Sequence, residues 1–404
     1  MNANRRNKIL ETAYLACFVI YTTLSIIAFS PAYDKFDHII SQQMQFTLAN
    51  IGAAIVLAVI YVFKDHHSKK EIISELLIVV IFAIATFTNQ TVDSVFLLTQ
   101  WTMFAVAGLF IACATVTTFK RISAVSLITT LATVAVFFIA ANTGIIANLT
   151  SDHKGAVAHY MGFLYYSHPS YYMTFAWLAY MYLRGEKKLS YIELFAEAAA
   201  LYLLHSYTTC RLANVCTFVA LILYIVFVKL DLIKLRWKFT YIVSVAGFSI
   251  AAIFTLLTGY LYSQENAILV KFDSLITGRL KLVNRAFDRY DITLFGRIIK
   301  PLEGEGYFYL DSGYAYALFG CGLVFFLVVI GIYSYMCHHA CKTNDRCLLV
   351  WLATLAVFGI VGDVWVHISY TPLILGFFIM LRDHNKTFSA KHHGNTKIST
   401  VIQQ

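Results

Sequence analysis

Arg211, Arg279 and Asp311 carry charge where the surrounding sequence is apolar, and each is of a type that does chemistry. Arg211 lies in Ser206-Tyr-Thr-Thr-Cys-Arg-Leu-Ala-Asn214, a connection between two apolar runs that leaves no room for a loop. Its planar fork of donors fits a phosphate bidentately. The competing reading is a side chain snorkelling to lipid headgroups. Arg279 belongs to the stretch Ser274–Tyr290, whose periodicity predicts an amphipathic helix. Lys281, Arg285, Asp288 and Arg289 fall on one arc; Leu282, Val283, Ala286 and Tyr290 fall on the opposite one, with Arg279 in their midst. A guanidinium on the packed side of a surface helix needs an anionic partner, either a ligand or a structural carboxylate. Asp311 precedes an apolar run. It is either the N-cap of the helix that follows or a general base held at the mouth of a bundle.

His168, before Pro169, and His367, in Gly362-Asp-Val-Trp-Val-His-Ile-Ser-Tyr-Thr-Pro372, stand near the same side of the chain. Either can be a packed structural imidazole or a catalytic one. Asp363, Glu11, Glu193 and Glu197 are costly within or near apolar spans unless buried in a bundle or a wet cavity. Cys337-His-His-Ala-Cys341 is too short and too close to an apolar run to read as a metal site. No P-loop, dinucleotide glycine motif or HExxH stretch is present.

The elements that must position these residues are membrane helices. Of 404 residues, 59% are apolar and only 13% are charged. A soluble globule of this composition could not cover itself with polar surface, so a soluble enzyme, a nucleic-acid binder and a disordered chain are excluded. A span takes roughly 20 apolar residues, and about twelve such runs can be marked. The expected fold is all-α: one polytopic transmembrane domain over residues 1–404. The runs that matter most here are 167–183, 189–208, 212–230, 239–262, 312–336, 347–364 and 366–381. With the N-terminus in the cytoplasm and alternating spans, most of the 31 basic residues fall in inner segments, among them Arg6, Lys64, Lys69, Arg121, Arg184, Arg346 and Arg382. That is the positive-inside pattern, and it places both termini in the cytoplasm. The net charge of +9 is then an anchoring feature, not a nucleic-acid signal. The eight cysteines, mostly in apolar runs, read as buried free thiols. One long segment, 263–311, lies on the outer side between spans nine and ten, so chemistry is expected on the outer face.

On these residues the chain resembles bacterial O-antigen and exopolysaccharide polymerases of the Wzy type, relatives of the O-antigen ligases. The resemblance is carried by Arg211 opening a span, Thr277-Gly-Arg279, Leu294-Phe-Gly296, and Asp311-Ser-Gly-Tyr-Ala-Tyr-Ala-Leu-Phe-Gly-Cys-Gly322. His168-Pro-Ser170 and Pro372 add to it. In the ligases the position resembling Asp311 carries a His, so the base here would be a carboxylate. The resemblance implies a membrane glycosyltransferase of the GT-C-like kind in the bacterial cytoplasmic membrane. It would transfer a growing glycan from polyprenyl diphosphate to a lipid-linked oligosaccharide repeat unit, as in O-antigen, capsule or exopolysaccharide synthesis. No cofactor, nucleotide or metal is implied. Arg211 and Arg279 would neutralise the leaving diphosphate and Asp311 would activate the acceptor hydroxyl. His168, Arg297, Tyr314 and His367 would bind substrate. Tyr307, Tyr309 and Tyr316 would stack on sugars or belong to an interfacial aromatic belt. A chain-length regulator and a flippase of the same pathway are the implied partners. A ligase-like glycan transferase and a lipid-linked oligosaccharide flippase are the alternatives.

Overall fold

Hydrocarbon offers no hydrogen-bond partner to a peptide group, so apolar runs with few prolines are expected to close their bonds internally as helices. The computed structural model describes residues 3–32, 42–66, 68–88, 95–153, 155–185, 187–235, 237–300 and 308–383. Its first five helices are α1 (Ala3–Ile27), α2 (Gln42–Phe63), α3 (Lys69–Thr88), α4 (Val95–Cys113) and α5 (Phe119–Asn142). A small antiparallel hairpin follows, β1 (Thr150–His153) with β2 (Ala156–His159), in the register Thr150 to His159. Then come α6 (Ser167–Arg184), α7 (Tyr191–Tyr207), α8 (Arg211–Leu223, prolonged by a π turn over Tyr224–Lys229) and α9 (Lys238–Tyr260). The segment after α9 holds α10 (Ala267–Leu275) and α11 (Arg279–Arg289). The chain continues through α12 (Gly313–Phe319), α13 (Leu323–Thr343), α14 (Arg346–Val361) and a last helical stretch, 377–383.

Six of these helices are long and apolar enough to cross a membrane: α1, α3, α5, α8 with its π turn, α9 and α13. Shorter apolar helices occur in α2, α4 and α14. The chain is therefore a predominantly helical, multi-pass membrane protein. Large apolar side chains such as Phe239 and Ile192 face outward, while Trp351, Trp365, Tyr172 and Tyr333 are buried between helices. All eight cysteines are free and buried. Ion pairs between connections sort the two ends of the bundle. Arg6 with Asp65, Arg121 with Glu11, and Arg346 with Asp231 join segments that alternation places on one side. At the other end, Ser30 donates to the Gly162 carbonyl at 2.6 Å.

Three expected helices are interrupted, each for a local reason. The amphipathic stretch 274–290 breaks at Thr277 and Gly278, which take φ of 62° and 84°; the continuous part begins at Arg279. The expected span 312–336 is split into α12 and α13 by a turn at Gly320-Cys-Gly322, with Gly322 at φ 93°. The expected span 366–381 is broken by loops and 3₁₀ turns up to residue 376, where Pro372 cannot donate a backbone bond. Tyr307 and the turn Glu303–Gly306 lie outside the described residues.

The break between α12 and α13 is held from outside. Residues 293–297 lie across it as a strap: Leu323 N–H donates to the Thr293 carbonyl at 2.9 Å, Val324 N–H to Leu294 at 3.1 Å, and Arg297 N–H to Gly320 at 3.0 Å. The backbones approach so closely that a Cβ on Gly296, which has φ 85°, would overlap the Gly320 carbonyl and Cys321. Gly278 has a similar φ of 84° but open space around it. We therefore expect Gly296→Ala to lower stability by about 1–3 kcal/mol from overpacking added to about 1–2 kcal/mol for the left-handed backbone. Gly278→Ala should show only the second effect. Thermal unfolding of the two purified variants checks this; equal losses would mean the strap does not carry the turn.

Candidate active site

Of the residues singled out from the sequence, Arg279 and Asp311 come together at the end of the bundle where α11, the start of α12 and the loop after α14 meet. Arg279 is the first residue of α11, and its place is set by Asp273. That buried carboxylate accepts from Leu280 N–H at 2.7 Å and Lys281 N–H at 3.3 Å, capping α11 across the left-handed turn. Leu280, Leu282, Val283 and Ala286 are buried, and Val283 packs where a Cβ on Gly259 of α9 would stand. The Arg279 guanidinium thus projects from a helix fixed against α9.

Asp311 is held by its neighbours. Phe308 and Leu310 are buried on either side of exposed Tyr309, and Arg289 covers the Phe308 ring at 5.1 Å. The N-cap of α12 is Ser312, whose hydroxyl accepts from Ala315 N–H at 3.5 Å. The capping reading of Asp311 is thereby replaced: its carboxylate pairs with Arg279. Both side chains keep some solvent contact, 26% for Arg279 and 21% for Asp311. One Arg279 donor, Nε, is buried without a partner among the described residues. Burial pushes the Asp311 carboxyl up to about 6, with Arg279 pulling it back and Asp363 adding to the rise. Burial outweighs the ion pair because the charged form loses more water than one guanidinium returns.

Asp363, read from sequence only as a costly residue, is the second carboxylate of this site. Gly313 brings it there. A Cβ on Gly313 would stand 2.6 Å from Trp365 Nε1 and 2.7 Å from the Gly362 carbonyl, so only glycine lets the start of α12 lie on the turn after α14. Tyr171 of α6 is within electrostatic reach of Asp311, Arg279, Asp363 and Cys210, and its ring meets Phe358 edge-on at 4.8 Å. The signal for Asp363 was present as an acid after an apolar run. That for Tyr171 was not, since tyrosines are common here.

Arg211 opens α8 directly after buried Cys210 and after Thr209 at φ 53°. It is exposed and forms no ion pair among the described residues. Cys210 beside it lies within electrostatic reach of Tyr171, as Arg279 and Asp311 do, so Arg211 shares an end of the bundle with that pair. Arg297 is on the strap, and its guanidinium faces Asp291 at 3.9 Å, not Asp311. Tyr314 is fully buried; its hydroxyl donates to the Ala356 carbonyl at 2.9 Å and its ring packs on Trp365 at 4.9 Å. Its contacts are those of a core residue joining α12 to α14.

The imidazoles form a neighbouring cluster. His168 Nδ1 and the Tyr370 hydroxyl are 3.1 Å apart. The His168 ring packs on Phe29 at 4.7 Å, and Tyr370 stacks on Tyr172 at 4.2 Å. His367 lies 6.3 Å from Tyr370, its Nδ1 buried and without a partner among the described residues. Tyr171 and Tyr370, 6.4 Å apart, stand between the imidazoles and the carboxylates. The site thus offers a cation with one donor unpartnered among the described residues and two carboxylates near it, with Arg211 exposed at the helix start that follows Cys210. That set can bind a phosphate and take a proton. No protein family matches the chain, and neither a curated protein nor a solved structure matches it.

Proposed function

We propose that the protein is an oligosaccharide repeat-unit polymerase of the outer face of a bacterial cytoplasmic membrane, built from twelve spans with both termini cytoplasmic. The observation that carries the reading is the Arg279–Asp311 pair with Asp363 in electrostatic reach: a phosphate-binding group holds a carboxylate whose affinity for a proton is raised. The donor is a glycan on polyprenyl diphosphate. Its diphosphate binds Arg211 and competes with Asp311 for Arg279. Once displaced, the Asp311 carboxylate takes the proton of the acceptor sugar hydroxyl, and the acceptor oxygen forms its bond to the anomeric carbon. The bond from that carbon to the diphosphate oxygen breaks, and the charge left on the diphosphate is neutralised by the two guanidiniums. Donor activation resides in the diphosphate, so no nucleotide is consumed. The resting ion pair keeps the base occupied until a donor arrives, which disfavours proton abstraction before the leaving group is bound.

The test is a reconstituted reaction. Purified protein in liposomes with lipid-linked repeat unit should lengthen the glycan and release polyprenyl diphosphate in equal amounts. Transfer of intact lipid between leaflets without a new glycosidic bond would establish the flippase reading instead. Transfer only to a lipid A core or protein acceptor would establish the ligase reading. Cysteine labelling in cells should mark positions 270–300 from outside and positions 64–70 from inside; the reverse pattern would remove the site from its substrate.

A further inference from the structure

The end of the bundle opposite the Arg279 pair carries a recess of about 160 Å³, lined by Asn7 of α1, Lys64 and Asp65 after α2, Thr115 after α4, and Arg382 of the last helical stretch. At about 30 Å³ per water, it holds roughly five waters or one phosphate-sized group. Its charges are unequally spent. Lys64, whose side chain is 1% exposed, gives its donors to Glu75, the Ala112 carbonyl and, at 3.4 Å, Thr115 Oγ1. Asp65 is paired with Arg6. Arg382 donates one bond, to the Thr115 carbonyl at 3.1 Å. Among the described residues it faces no carboxylate within ion-pair distance and its buried Nε has no partner. With Lys64 and Asp65 neutralised, the recess retains the charge of Arg382.

Apolar residues stand beside this charge. Leu10 and Val116 complete the lining, and Ile9 and Phe63, each beside a lining residue in sequence, are exposed apolar side chains. A phospholipid presents a phosphate at one end and an acyl chain at the other, matching a cationic recess with an apolar edge. We infer that this recess binds the phosphate of an anionic phospholipid from the leaflet on its own side, with Arg382 as the principal contact. Bound there, the lipid bridges α1, the end of α2, the end of α4 and the last helical stretch.

The experiment uses the purified full chain in detergent, read by its thermal unfolding midpoint. Three additions are compared: phosphatidylglycerol, phosphatidylcholine and inorganic phosphate. Phosphatidylglycerol should raise the midpoint by several degrees, with phosphatidylcholine and inorganic phosphate doing far less. Arg382→Gln should lose that shift, and Lys69→Gln, which removes an exposed cation from the same end, should keep it. Should Arg382→Gln not yield folded protein, Asn7→Glu places a carboxylate at the recess from an exposed position of α1 and should abolish the shift equally. An equal response to phosphatidylcholine, or an undiminished shift in Arg382→Gln or Asn7→Glu, overturns the site. A shift from inorganic phosphate as large as that from phosphatidylglycerol overturns the lipid and leaves a soluble-anion site.

Discussion

Asp311→Asn should slow polymerisation by about 100- to 10,000-fold, the range typical of losing a general base, while the protein remains folded in the membrane. The substitution keeps size and one oxygen, and removes the charge that pairs with Arg279 together with the ability to take a proton. It does not disturb the start of α12, because Ser312 and not Asp311 caps that helix. The measurement is turnover of purified lipid-linked repeat unit at matched protein levels, together with donor binding, which should persist. Near-normal turnover would reduce Asp311 to a counterion for Arg279 and move the base to His168 or His367, the imidazoles of the adjoining cluster.

The pH profile of the wild type gives the same hypothesis a second reading. A base works in its deprotonated form, and burial raises the Asp311 carboxyl to about 6. The rate should therefore be level above that pH and fall about tenfold per unit below it, the slope of a single protonation. Donor binding should move the fall. If the diphosphate draws Arg279 away, the carboxylate loses its stabilising partner and its affinity for a proton rises further. The fall in kcat should then lie at higher pH than the fall in kcat/KM.

Helix existence was legible in this sequence; helix interruption was not. The 3.6-residue period placed Leu282, Val283 and Ala286 on the packed side of α11, and all are buried. The same reading ran the helix back to Ser274, because a pattern of apolar positions does not register Thr277 and Gly278 turning left-handed. Gly320 and Gly322 likewise lie in an apolar run that looks continuous, and only the strap at 293–297 shows why it breaks there. Arg279 needed an anionic partner on physical grounds, and Asp311 needed an explanation. That each supplies the other's depends on a contact between residues on α11 and before α12, which periodicity cannot reveal. Asp363 joins them through the approach of Gly313 to Gly362, a feature of backbone packing with no trace in local sequence. Tyr314 misled for the opposite reason: an aromatic residue near a polar motif reads as a contact surface, yet its hydroxyl is committed to Ala356.

Arg279 has two duties in the proposed reaction, as counterion to Asp311 and as diphosphate ligand, and double substitution separates them. Removing a hydrogen bond to a charged group costs about 1.5–3 kcal/mol, so Arg211→Ala and Arg279→Ala should each reduce turnover by about 10- to 100-fold. Their stabilities should differ. Arg211 has no ion pair to lose among the described residues, so Arg211→Ala should unfold like the wild type. Arg279→Ala leaves the Asp311 carboxylate without its partner and should unfold at lower temperature. Adding Asp311→Asn to Arg279→Ala removes the stranded charge and should recover much of that stability, the non-additivity expected of residues in contact. Activity should not recover with it, because neither the base nor the ligand remains. Lysine at either position should restore part of the rate, since it supplies charge without the fork that grips two oxygens. If Arg211→Ala and Arg279→Ala both polymerise normally, no leaving diphosphate is bound here. If stability and activity rise together in the Arg279→Ala, Asp311→Asn pair, Arg279 serves the fold alone and the phosphate is held elsewhere.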